Sequence, residues 1–371
     1  MKEKLLDDLL WFLRRPSVTG AEKDLCDDLE ARLGGKAGWR VERAANNLIV
    51  SRDAPDPSRE KLVFAGHLDT VPEPDDGAIE VRVEGDHIHG RGASDMKAGD
   101  AVMLALIEDL HWSESWAEPL FVFYEREEGP HAENGLGVVF EDFPQVLDAE
   151  AALVLEPTEG ALEAGCVGTA QVEITFRGSA AHAARPWLGD NAITKAGEFL
   201  ARLHKWESEE VVVEGLSFYE VLTPTLASGG RTVNVVPDSF RVNVNHRFAP
   251  DRDLDHVRRT FEQLLAPFGG AASFEVVDYA PSGPVALDNP ILQRFLADGV
   301  EVRPKQAWTD VARFSEHGVA AANFGPGTPA QAHQADEWAS FSLLKACYSR
   351  LESFLGLDQG TGGRSPAAGE N

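Results

Sequence analysis

The sequence predicts an α/β protein whose main domain is interrupted by a smaller β-α-β-β-α-β domain. Short, continuous apolar runs at 62–65, 120–124 and 151–155 have the character of strands covered on both faces, and helical stretches separate them. From about residue 172 the pattern changes to an alternating strand (Val172, Ile174, Phe176), a helix near 190–205, strands near 218–227 and 237–247, a helix at 254–265 and a last strand at 274–277, the order of a ferredoxin-like domain. Beyond the Pro- and Gly-rich stretch 281–284, a helix, the run 319–324 and a long terminal helix resume the α/β character. The expected domains are therefore 1–171 with 284–357, an insert at 172–283, and a tail at 358–371.

In chain order, two amphipathic helices open the protein at 3–14 and 20–33, with Thr19 and Glu22 spaced as a capping box for the second. Acidic residues inside the first apolar stretch, MKEKLLDDLLWFLRRP, mark it as a helix and not a signal peptide. Residues 96–110 are the clearest helix of the main domain. The tail DQGTGGRSPAAGEN has no apolar periodicity and is expected to be disordered.

At 371 residues the chain exceeds the usual span of one hydrophobic core, which favours two domains. With 34 Lys and Arg against 61 Asp and Glu, its net charge of −27 repels phosphate backbones and anionic headgroups, so nucleic-acid and membrane partners are not expected. Three widely separated cysteines, Cys26, Cys166 and Cys347, fit neither a disulfide framework nor a zinc knuckle and point to a reducing, cytoplasmic setting.

Candidate chemistry gathers just after the apolar runs. His67 and Asp69 lie in Gly66-His-Leu-Asp-Thr-Val-Pro72; a neutral imidazole ligates zinc well, and a carboxylate two residues on can fix its tautomer. Taken alone, the pair is common and reads first as a satisfied structural histidine. Asp95, in Gly90-Arg-Gly-Ala-Ser-Asp-Met-Lys97, reads either as a helix N-cap or as a carboxylate shared between metals. Glu127 and Glu128 stand side by side in Glu125-Arg-Glu-Glu-Gly129, where like charges repel unless a cation intervenes. A metal on Glu128 would leave Glu127 as a general base for water. Glu156 follows a further strand, and His333 lies in Ala332-His-Gln-Ala-Asp-Glu337. With Asp95 shared, His67, Asp95, Glu128, Glu156 and His333 give each of two cations one imidazole, one terminal carboxylate and the bridge. Mixed N/O ligation without sulfur favours two zinc ions, with cobalt or manganese able to substitute.

The ordered set GHLDTVP, GRGASDMKAG, EREEGP, LEPT and AHQADEW resembles the dinuclear zinc metallopeptidase family of aminoacylases, acetylornithine deacetylases, glutamate carboxypeptidases and succinyl-diaminopimelate desuccinylases. The resemblance implies a zinc-dependent exopeptidase-like catalytic domain interrupted by a domain that forms a homodimer. It implies His67 and Glu156 on one zinc, Glu128 and His333 on the other, Asp95 bridging, Asp69 orienting His67, and Glu127 as base. It also places His182, in Gly178-Ser-Ala-Ala-His182, as the histidine that reaches across the dimer to the developing oxyanion.

The runs 232–238, 243–248 and 308–314 look most like the desuccinylase branch of actinobacterial type. That likeness implies hydrolysis of N-succinyl-LL-2,6-diaminopimelate to succinate and LL-diaminopimelate, with Arg247 and Arg313 for carboxylates and Asn234 and Thr309 for neutral hydrogen bonds. Two departures touch expected substrate contacts: Cys166-Val167 stands where many desuccinylases carry paired arginines, and Pro329-Ala330 replaces an Asn-containing run. An acetylornithine deacetylase or broader N-acyl amino acid hydrolase is the alternative within the class, and a non-catalytic binding homologue the alternative outside it.

Overall fold

The three apolar runs form the strands Glu60–His67, Ala117–Tyr124 and Ala151–Val154 in a computed structural model that describes residues 2–357, except 76, 110, 111 and 298. The tail 358–371 lies outside the described residues. The chain forms two compact units: Met1–Gly160 with Arg294–Val300 and Phe324–Asn371, and Ala161–Gln293 with Glu301–Asn323.

In the first unit the strand order is Trp39–Ala44, Asn47–Arg52, Ala117–Tyr124, Glu60–His67, Ala151–Val154. The last three run parallel, while the Asn47–Arg52 strand is antiparallel to both of its neighbours, so the sheet is mixed. Burial explains the unbroken apolar runs: all of Ala117–Tyr124 and of Ala151–Val154 is buried. The parallel strands end together, with His67 opposite Tyr124 and Ala65 opposite Val154, so the residues that follow them emerge on one edge.

Helices Lys2–Leu13, Ala98–Asp109 and Phe341–Phe354 pack on one another. Residues 98–107 are buried on every side, which accounts for a helix with little polar face. It starts at Ala98, after an irregular turn over Ala93–Lys97 in which Asp95 has extended dihedrals, so Asp95 does not cap it. The second helix runs Lys23–Leu33 without a side-chain cap. The capping box expected of Thr19 and Glu22 is not made, because the Thr19 hydroxyl donates to the buried Asp69 carboxylate at 2.9 Å.

The second unit holds a five-stranded antiparallel sheet in the order Glu209–Val213, Leu216–Gly229, Ser239–Phe248, Gly168–Arg177, Ala272–Ala280. Alternate residues of Gly168–Arg177 are buried, among them Val172, Ile174 and Phe176, against Phe199 of Gly197–His204 and Phe261 of Leu254–Leu265. The Glu209–Val213 strand, largely exposed, is an addition to the expected order. Short strands Leu162–Ala164, Val302–Pro304 and Ala321–Asn323 pair in the same unit. Among the described residues no helix is long and apolar enough to cross a membrane.

Phe121 anchors the first sheet: fully buried, it stacks on Phe64 at 5.1 Å and meets Trp39 and Trp112, each at 5.8 Å. Truncation there leaves a cavity among three rigid rings. Phe121→Ala is expected to cost about 3–5 kcal/mol in urea unfolding; a loss under about 1 kcal/mol would show that the cluster collapses to fill the gap.

Candidate metal centre

The parallel strands deliver four acidic or imidazole groups to one edge of the sheet. His67 is the last residue of its strand and fully buried; Glu127 and Glu128 occupy the turn after Ala117–Tyr124; Glu156 follows Ala151–Val154. Asp95 arrives from the irregular turn and His333 from a loop in which it takes a left-handed φ of 63°.

These side chains converge on Asp95. His67 Nε2 lies 3.2 Å from Asp95 Oδ1 and 3.8 Å from Glu156 Oε1, while His333 Nε2 lies 3.6 Å from Asp95 Oδ2 and 2.8 Å from Glu128 Oε1. One oxygen of Asp95 thus faces each imidazole. Two ligand atoms at about 2.0–2.1 Å from a tetrahedral cation stand about 3.3 Å apart, and the four separations bracket that value. Three of them, His67, Asp95 and Glu128, offer ligand atoms that all lie within 4.8 Å of one another.

Protonation reflects the gathered charge. Burial alone would lower the pKa of His67, but the Asp69 and Asp95 carboxylates outweigh it and hold the imidazole well above its ordinary value. His333 is raised too, first by its hydrogen bond to Glu128 and then, against partial burial, by Glu128 and Asp95. A cation entering here must displace those protons, so its affinity falls as pH falls.

Asp69 is fully buried and carries more than the expected task. His67 Nδ1 is nearer the Asp69 main-chain oxygen, at 3.0 Å, than its carboxylate, at 3.5 Å. The carboxylate accepts from Glu127 N at 2.9 Å, Glu128 N at 3.1 Å and Thr19 Oγ1 at 2.9 Å, so it fixes the turn that carries both glutamates. Burial works against its charge, yet His67, the Glu127 N–H and Thr19 together hold its carboxyl below the usual range.

Glu337 was silent in the sequence. It is 1% exposed, and its carboxylate accepts from the N–H groups of Gly92, Ser94 and Asp95 at 2.9, 2.9 and 3.1 Å and from Arg91 at 2.9 Å. The turn bearing Asp95 is therefore clamped by one buried anion. On the other flank, Phe324 N donates to Val154 O and Gly160 N to Gly325 O, and a Cβ at Gly325 would collide with the main-chain oxygens of Leu155 and Glu156. Glycine is required there so that this segment can lie against the Glu156 backbone.

The remaining sequence candidates lie in the second unit. His182 and Asn234 are exposed and sit on paired segments, Ala183 N donating to Asn234 O at 2.9 Å. Arg247 is half-buried on Ser239–Phe248; its Nε donates to Asn245 Oδ1 at 3.0 Å, and it has no carboxylate within 4.0 Å among the described residues. Burial pushes its guanidinium pKa down. Thr309 is buried, and its hydroxyl has no hydrogen-bond partner among the described residues. Arg313 lies 2.9 Å from the fully buried Asp310 carboxylate. Cys166 is buried, its thiol 3.7 Å from Thr309 O.

An acidic and imidazole cluster at the carboxyl ends of parallel strands is the arrangement of a metal-dependent hydrolase. The model of Peptidase family M20/M25/M40 matches residues 63–356, and the chain belongs to that family. A succinyl-diaminopimelate desuccinylase of Corynebacterium glutamicum is 37% identical over 347 residues, 92% of this chain and 93% of that protein. A Mycobacterium tuberculosis relative, DapE, which carries the same enzyme name provisionally, is 39% identical over 347 residues, covering 92% and 95%. Among solved structures, the aminopeptidase PepT of Bacillus cereus shares the fold with a TM-score of 0.76 at 20% identity, covering 96% of this chain and 98% of its own. The YXEP protein of Bacillus subtilis, described as a dinuclear metal binding peptidase of the M20 family, aligns with a TM-score of 0.68 at 16% identity, covering 95% and 97%.

Removing the Glu337 carboxylate would strand Arg91 and three N–H groups in a buried place. Glu337→Ala is expected to destabilise the protein by about 3–5 kcal/mol and to weaken divalent-metal affinity about 10–100-fold, read by urea unfolding and by calorimetric titration. A folded variant with unchanged metal affinity would remove Glu337 from the support of Asp95.

Proposed function

We propose that the chain is a dinuclear zinc amidohydrolase that cleaves N-succinyl-LL-2,6-diaminopimelate to succinate and LL-diaminopimelate in the cytoplasm. The observation that carries the proposal is the meeting of His67, Glu156, Glu128 and His333 around the two oxygens of Asp95, joined to the likeness to desuccinylases over nearly the whole chain. His67 and Glu156 would hold one zinc, Glu128 and His333 the other, and Asp95 both. The donor set fits: it contains imidazole nitrogen and carboxylate oxygen at ligand-like spacings and no thiolate. When bound, the cations supply Lewis acidity that eases ionisation of water and polarises the scissile carbonyl.

The protein's own groups divide the remaining work. Glu127, whose main-chain N–H is held by Asp69, takes the proton from the attacking water and returns it to the leaving amine. Two adjacent glutamates thereby serve different ends, Glu128 as ligand and Glu127 as base. His182 Nδ1 accepts from Ala184 N at 3.1 Å, which leaves the ring proton on Nε2 as a donor for the oxyanion, contributed across a homodimer. The dimer would form through a ferredoxin-like insert at 172–283, where Trp187, Leu188, Leu226 and Val233 are exposed.

Substrate anions call for cations without other partners. Arg247 meets that description better than Arg313, whose charge already neutralises Asp310. Arg247 would therefore take a substrate carboxylate, with Arg313 supporting it, and Asn234 and Thr309 would supply neutral hydrogen bonds.

A panel of N-succinyl and N-acetyl amino acids, assayed with the zinc-loaded protein, tests the reading. Succinyl-diaminopimelate is expected to be the best substrate, and Glu127→Gln is expected to lower its kcat by about 10²–10⁴-fold with metal content unchanged. Turnover of N-acetylornithine alone would defeat the substrate assignment; a fully active Glu127→Gln would defeat the assignment of the base.

A further inference from the structure

A second set of metal-type side chains lies within the second unit. Glu220 on the Leu216–Gly229 strand, His246 on Ser239–Phe248 and His256 on the Leu254–Leu265 helix offer ligand atoms within 4.8 Å of one another. Glu220 and His246 are 5% and 1% exposed, while His256 is half-buried. His256 Nε2 stands 3.1 Å from Glu220 Oε2, close to the edge of about 3.3 Å that two ligands of a tetrahedral zinc make.

A plain hydrogen-bonded cluster does not account for all three. His256 and Glu220 satisfy each other, and Glu220 Oε1 accepts from Ala249 N at 3.1 Å with Arg252 Nε at 3.6 Å. His246 is left over: its buried Nδ1 has no hydrogen-bond partner among the described residues. A polar atom buried without a partner is costly and is rarely kept without a use. Burial pushes the His246 pKa down to about 4, so the ring is in the neutral form that binds a cation.

We propose that Glu220, His246 and His256 form a divalent-cation site of zinc type, separate from the centre around Asp95, that clips the Leu254–Leu265 helix to the two strands beneath it. Glu220 would give the cation Oε2 and keep Oε1 for Ala249 and Arg252. Two imidazoles and one carboxylate would leave a fourth position for water, and of the three side chains His256 is the partly exposed one. The site's role is structural: none of its three members is required by the proposed hydrolysis.

Equilibrium dialysis of the full chain against zinc, followed by elemental analysis, tests it. His256→Gln is expected to bind one zinc fewer per chain than the unaltered protein, and His246→Asn one fewer as well; should His246→Asn fail to fold, the helix-borne His256→Gln reads the same quantity. In an Asp95→Asn background, which disables the other centre, zinc is expected to raise Tm, and adding His256→Gln is expected to abolish that rise. Equal zinc content in His256→Gln and the unaltered protein would overturn the proposal, and so would a zinc-induced rise in Tm of the Asp95→Asn protein that survives His256→Gln.

Discussion

Carboxylates brought together at the end of a parallel sheet repel one another, and the structure around Asp95 is shaped by that repulsion. At an effective dielectric constant of about 20, two like charges about 4 Å apart oppose each other by about 4 kcal/mol. Asp95, Glu128 and Glu156 each lie within 4 Å of an imidazole nitrogen, and the raised pKa values of both imidazoles register the excess of negative charge. Divalent cations reverse the sign of the problem and turn mutual repulsion into shared attraction.

A cluster of this kind has to be held in place by groups that do not belong to it. Asp69 ties down the turn of Glu127 and Glu128, Glu337 ties down the turn of Asp95, and Gly325 lets a neighbouring segment press against the Glu156 backbone. Each support is buried and made largely of main-chain hydrogen bonds, so the ligand geometry is set by the backbone before any metal arrives. The second unit shows the same economy in Arg313, whose charge is spent on the buried Asp310, while Arg247 keeps a half-buried charge with no carboxylate within 4.0 Å among the described residues.

Much of this was legible in the order of residues. His67, Glu128 and Glu156 each follow an apolar run that folds as a buried strand, and parallel strands place their following residues on one edge, so a periodicity argument was enough to group them. The alternation from Val172 to Phe176 likewise announced the second sheet. Glu337 was not legible, because its partners lie about 240 residues away in sequence and nothing local separates it from a surface acid. Thr19 was misdirected by its spacing from Glu22: a local capping pattern lost to a buried carboxylate that needed a donor. The Glu209–Val213 strand escaped notice because an exposed, acidic edge has little apolar signal.

The central claim is that Asp95 stands between two cations. Anomalous diffraction at the zinc edge from crystals of the zinc-loaded protein reads this directly. Two peaks about 3.5–4 Å apart, one beside His67 and Glu156 and one beside Glu128 and His333, are expected; a single peak, or none among these five side chains, would contradict it.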